Sequence, residues 1–143
     1  MYDNSNAATV NLIANKTLAV ADAGVQQRLT VDGLTLTLPA AASTPVGTEF
    51  IIKNGGVKPT ASGPTGLGAN KTVGFVLAPN AADGVAGIGI TPATTKGITY
   101  PKATGYVNDT LVVRNTGVAG ATGWVVVAAV AKTPFATQFA RTA

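Results

Sequence analysis

The chain has 143 residues, with 10 Lys and Arg against 6 Asp and Glu for a net charge of +4, and it contains neither cysteine nor histidine. That excludes disulfides, thiolate or imidazole metal sites, and every nucleophile system that needs a histidine base. Charged residues are only 11% of the total, against roughly 25% in an ordinary globular domain, and the basic ones form no run. Nucleic-acid binding is therefore not expected, and an acidic protein surface is the better match for the positive balance.

Valine (17) and threonine (21) dominate the branched residues, with 17 Gly and 8 Pro as punctuation. Such a composition favours pleated surfaces over helices. In chain order, Ala8 to Ile13 reads as a first strand and Val25 to Val31 as the next, after the Asp22-Ala23-Gly24 turn. The run LTLTL at 34–38 alternates strictly, so Leu34, Leu36 and Leu38 share a face opposite Thr35 and Thr37. Asp32-Gly33 between these strands predicts a type I′ hairpin, and Pro39 ends the ladder because it has no N–H. Further strands are expected at 49–53, 73–77, about 85–90, 110–114 and 124–131. One short helix is expected at the C-terminus, with Thr133 as cap, Pro134 in the first turn, and Phe135 and Phe139 one turn apart. Together these predict an all-β, single-domain β-sandwich (jelly-roll-like or β-tulip-like) over residues 9–131. A polar N-terminal arm at 1–8 and a C-terminal tail at 132–143 flank it.

The stretch GPTGLGANKT at 63–72 invites comparison with a phosphate loop. A P-loop requires Gly-Lys after four residues that follow a first Gly, because backbone N–H groups must close round the phosphate. Here Asn70 precedes Lys71-Thr72, and Thr65 occupies the first glycine position, so the stretch reads as a connecting loop. Its ANKT ending repeats Ala14-Asn15-Lys16-Thr17. Likewise Ile51-Ile52-Lys53-Asn54-Gly55-Gly56-Val57 is echoed by Val112-Val113-Arg114-Asn115-Thr116-Gly117-Val118. Two related halves, about 9–57 and 67–118, would explain both echoes. So would similar strand-to-turn junctions selecting similar residues.

An ordered set of short motifs resembles tailed-bacteriophage virion proteins. The Asp22-Ala23-Gly24 turn leads to Thr37-Leu38-Pro39-Ala40-Ala41 and then to Val46-Gly47-Thr48-Glu49-Phe50. Pro79-Asn80-Ala81-Ala82-Asp83-Gly84-Val85-Ala86-Gly87, Lys96-Gly97-Ile98, Asp109-Thr110-Leu111-Val112-Val113 and Gly123-Trp124-Val125-Val126 follow in the family's order. The resemblance spans roughly residues 16–131. It departs at Ala131-Lys132-Thr133-Pro134-Phe135, where these chains often carry a Gly-Thr-Trp step. It implies a head decoration (cement) protein, a non-enzymatic homotrimer that binds the major capsid protein on the outer surface of the head. Tail-fibre or receptor-binding domains use related patterns and are the alternative.

Candidate interface residues are Tyr2 in the N-terminal arm and Phe135, Phe139 and Arg141 in the tail, since aromatics and Arg are enriched at interface hot spots. The competing reading is that Phe135 and Phe139 cover this subunit's own core. Trp124, the only tryptophan, opens the most apolar strand and is expected inside it. Glu49, Asp83 and Asp109 stand at strand starts or turns with nothing in the sequence to join two of them as a catalytic pair. Asp22, Asp32, Asp83 and Asp109 lack calcium-loop spacing and read as turn residues. No cofactor, metal, small-molecule substrate, nucleic acid or membrane partner is expected. The N-terminus lacks the basic and apolar regions of a signal peptide, and no run approaches the roughly 18 apolar residues of a membrane span, so synthesis in the host cytoplasm is expected.

Overall fold

The computed structural model describes residues 8–56, 73–87 and 89–142. Among these residues eleven strands run in chain order: β1 (Thr9–Leu12), β2 (Lys16–Thr17), β3 (Gln26–Leu29), β4 (Leu34–Thr37), β5 (Glu49–Asn54), β6 (Phe75–Ala78), β7 (Val85–Ala86), β8 (Ile98–Tyr100), β9 (Thr110–Asn115), β10 (Trp124–Val130) and β11 (Ala140–Arg141). They form a six-stranded sheet, β1-β3-β5-β9-β10-β7, and a five-stranded sheet, β11-β8-β6-β4-β2. The two pack face to face over a single core, so the chain is an all-β, single-domain sandwich. No helix among the described residues is long and apolar enough to cross a membrane.

Alternation builds the core. Leu34, Leu36 and Leu38 turn inward together, as their spacing predicts, and meet Phe75 and Leu77 of the neighbouring β6. From the other sheet come Leu29, Phe50, Ile52, Leu111, Val113 and Trp124. Trp124 is wholly buried, packs against Phe50 with the rings tilted and 5.3 Å apart, and donates its indole N–H to the Pro39 carbonyl. A buried indole requires that partner, since an unpaired N–H in the core costs about 1–3 kcal/mol.

The connectivity differs from the predicted hairpin. β3 and β4 lie in different sheets, so Asp32-Gly33 turns the chain across the sandwich rather than back along one ladder. Gly33 supplies the positive φ of 80° that such a corner needs. The corner is anchored on residue 74: the Gly33 N–H donates to the Gly74 carbonyl, and Asp32 Oδ1 accepts from the Gly74 N–H at 2.7 Å. Gly33 takes the positive φ expected of it but Asp32 does not, so the turn is not type I′, and the strands it joins find their partners elsewhere. β1, β3 and β5 pair in parallel in one sheet, and β2, β4 and β6 pair in parallel in the other. The first half therefore winds alternately between sheets. Each parallel crossover is made by a strand of the opposite sheet, where α/β proteins would use a helix. A jelly roll, by contrast, is built of antiparallel Greek keys. Antiparallel pairing enters only with β8, β9, β10 and β11.

The second sequence echo has a geometric counterpart. β5 and β9 are antiparallel neighbours with Ile51 opposite Val112, so the echoing segments face each other about a local twofold. Asn54 Oδ1 accepts the Gly56 N–H at 2.9 Å, and Asn115 Oδ1 accepts the Gly117 N–H at 2.9 Å. Gly47 (φ 85°) and Asn108 (φ 76°) occupy matching left-handed corners and donate to the Asn115 and Asn54 carbonyls respectively. Short 3₁₀ turns at Ala41–Ser43 and Lys102–Thr104 carry the chain from the smaller sheet towards β5 and β9. For the ANKT echo, Lys16-Thr17 forms β2, while GPTGLGANKT at 63–72 lies outside the described residues.

Candidate interaction surfaces

The carboxylates are committed to the fold. Asp83, buried in the turn before β7, accepts the Ala41 N–H at 2.8 Å and the Gly120 N–H at 3.1 Å, tying together three loops at one end of the sandwich. At the opposite end Asp109 accepts the Tyr100 hydroxyl at 2.5 Å and the Tyr106 N–H at 3.0 Å, and the same hydroxyl receives the Asn54 amide at 3.0 Å. Glu49 pairs with Arg114 at 2.8 Å across β5 and β9. Asp22 pairs with Lys16 at 2.7 Å and also accepts the Ala19 N–H. Burial pushes the Asp22 carboxyl up, but the Lys16 hydrogen bond, the Ala19 N–H and the Lys16 charge together outweigh it and leave the carboxyl below its usual value. Asp32 lies 3.5 Å from Lys102. Among the described residues, then, every acid is either ion-paired or buried.

The predicted C-terminal interface is largely internal. Residues 132–142 do not hang free of the sandwich. A short helix α1 (Phe135–Gln138) leads into β11, which pairs antiparallel with β8 and edges the smaller sheet. Phe139 is 1% exposed and belongs to the core, 5.5 Å from the Tyr100 ring and 5.2 Å from Phe135. It therefore cannot anchor a partner, and the half-buried Phe135 packs against the same core. The helix falls where the phenylalanine spacing places it, but Thr133 does not cap it. Pro134 holds the cap position, and the Thr133 hydroxyl donates instead to the Thr104 carbonyl at 2.6 Å. Arg141 alone of the three remains exposed, its guanidinium donating to the Thr91 carbonyl. Tyr2 lies outside the described residues.

What remains for interaction is apolar or positive. Val46 and Val118 are 76% and 63% exposed at the end of the sandwich that Asp83 secures. Val127 and Val130 of β10 are also exposed. On the outer face of the larger sheet, pleating brings Arg28, Lys53, Thr110 and Val130 into one row across β3, β5, β9 and β10. Sequence reading missed this row because parallel pairing brings Arg28 to Lys53 from a distant part of the chain. Beside it, Ile51 and Val112 are each 1% exposed yet stand apart from the core between the sheets. A shallow polar groove of about 170 Å³ lies along β2 and β4, lined by Asn15, Lys16, Thr17, Thr35 and Thr37. It is smaller than the roughly 300 Å³ at which small-molecule pockets begin, and its lysine is already bonded to Asp22 and Gln27.

Comparison with protein-family models and with curated proteins returned no match for this chain.

Proposed function

We propose that this chain is a structural protein of a tailed-phage virion, a decoration protein that binds the outside of the head and bridges neighbouring capsid subunits. The observation that carries the reading is the disposition of its acids. Asp83 and Asp109 each spend their oxygens on fastening loops, and Glu49 is held by Arg114, so the carboxylates serve cohesion. The motifs that resemble the phage proteins supply those same corners: the Asp22 turn, the Pro39 strand end, the Asp83 turn and the Gly123-Trp124 step. Exposed valines and a charge-poor surface favour burial against another protein. A trimer would multiply weak contacts into lasting attachment.

The experiment adds purified protein to undecorated mature heads and measures cosedimentation and the temperature of genome release. Saturable binding with a raised release temperature is expected. Failure to bind heads, together with adherence to host cells, would replace this reading with a tail-fibre or receptor-binding role. Light scattering of the free protein reports whether the trimer precedes attachment.

A further inference from the structure

Arg28 and Lys53 are direct neighbours in the parallel register of β3 and β5. Both are half-buried, and neither has a carboxylate partner among the described residues. Arg28 donates to the Gly55 carbonyl at 3.1 Å and reaches Asn11 at 3.5 Å, while the flanking row positions are Asn11 and Thr110. Like charges directly opposite one another destabilise a sheet. On the same face, beyond Ile51 and Val112, the Glu49 and Arg114 pair shows the ordinary solution of opposite charges. The backbone of Lys53 is paired with strands on both sides, but no ion pair holds its ammonium among the described residues. The row continues to Val130, with Val127 nearby on the same strand, and both are exposed.

We propose that the end of this face beyond the covered Ile51–Val112 row, the Arg28–Lys53 pair with the apolar end of β10 at Val130, docks an acidic, partly apolar protein surface. Charge complementarity selects the occupant: a carboxylate set against the pair would relieve its repulsion, and Val130 would bury alongside. A second copy of this chain does not fit, because its described acids are already paired or buried. Nucleic acid fits poorly, because duplex binding draws on many phosphate contacts and makes no use of an adjoining apolar strip. That the acidic surface belongs to the capsid rests on the decoration reading above.

The test uses Lys53→Glu in the full chain, with Lys53→Gln as the milder variant and Lys132→Glu as control, since Lys132 instead stands over the Tyr106 ring. Lys53→Glu sets a carboxylate opposite Arg28, so its thermal midpoint should equal or exceed that of the wild type. Its affinity for undecorated heads should nevertheless fall by about tenfold or more, equivalent to one order in Kd, with Lys53→Gln intermediate and Lys132→Glu unchanged. Added salt should weaken wild-type binding and barely affect Lys53→Glu. Wild-type protein that fails to bind heads overturns the decoration reading and this docking surface together. If wild type binds and folded Lys53→Gln binds equally well, only the docking surface is overturned. Tighter, Lys53-dependent binding to a DNA duplex than to heads overturns the choice of a protein partner.

Discussion

Individual side chains in this sandwich do most of their work at corners. Asp22 links Lys16 to the Ala19 backbone, and its carboxyl is held below the ordinary value. A carboxyl depressed in the folded state contributes stability above its unfolded pKa, and that contribution disappears as pH falls through the folded value. Asp22→Asn should therefore flatten the acid limb of the stability curve below about pH 4, the unfolded aspartate range, as read from urea midpoints across pH. Gly97 illustrates a different constraint. A Cβ there would lie 1.8 Å from the Leu77 carbonyl oxygen, which is backbone and cannot turn aside. Gly97→Ala should lower stability by about 1–3 kcal/mol or more, as overpacking does, measured by thermal or urea unfolding. At Gly33 a Cβ meets nothing within 4 Å, so Ala there should cost only the left-handed backbone penalty, about 1–2 kcal/mol.

Elements were legible in the sequence wherever a local rule forms them. The Leu34–Leu38 alternation, the β5 and β9 strands with their Asn-x-Gly endings, and the apolar β10 all fall where their residues place them. β2, β8 and β11 escaped notice because segments of two or three residues have no period to read. The hairpin expected at Asp32-Gly33 failed because Asp32 does not take the positive φ of a type I′ turn, and because a short turn sequence does not choose the strand that comes next to it. The C-terminal aromatics could be read as a partner's anchor or as a lid on the core, and burial of Phe139 decides for the lid. Phe139→Ala should cost about 3–5 kcal/mol, the usual range for an emptied phenylalanine site. Deleting residues 132–143 should abolish the cooperative unfolding transition seen by near-UV circular dichroism. A truncated chain that stays folded and merely loses affinity for heads would restore the arm interpretation.

At the scale of the whole molecule, charge and topology reinforce each other. Few charges and committed acids leave a surface on which small clusters such as Arg28 and Lys53 set the local field. Meanwhile the alternate winding of the first six strands puts the earliest-made ones outermost: β1 edges the larger sheet and β2 edges the smaller. This matters for mechanics. A load applied at the N-terminal end of the domain meets four residues of edge ladder in β1 and then two in β2, so the hydrogen bonds open one after another instead of sharing the pull. The strands within, β5 and β9, are held on both sides and joined by the Glu49–Arg114 pair. Single-molecule extension from that end should record low-force, stepwise unravelling before the central strands yield together. A protein fastened to a swelling shell by its sheet face would remain intact, whereas the same protein hauled by its leading strand would peel.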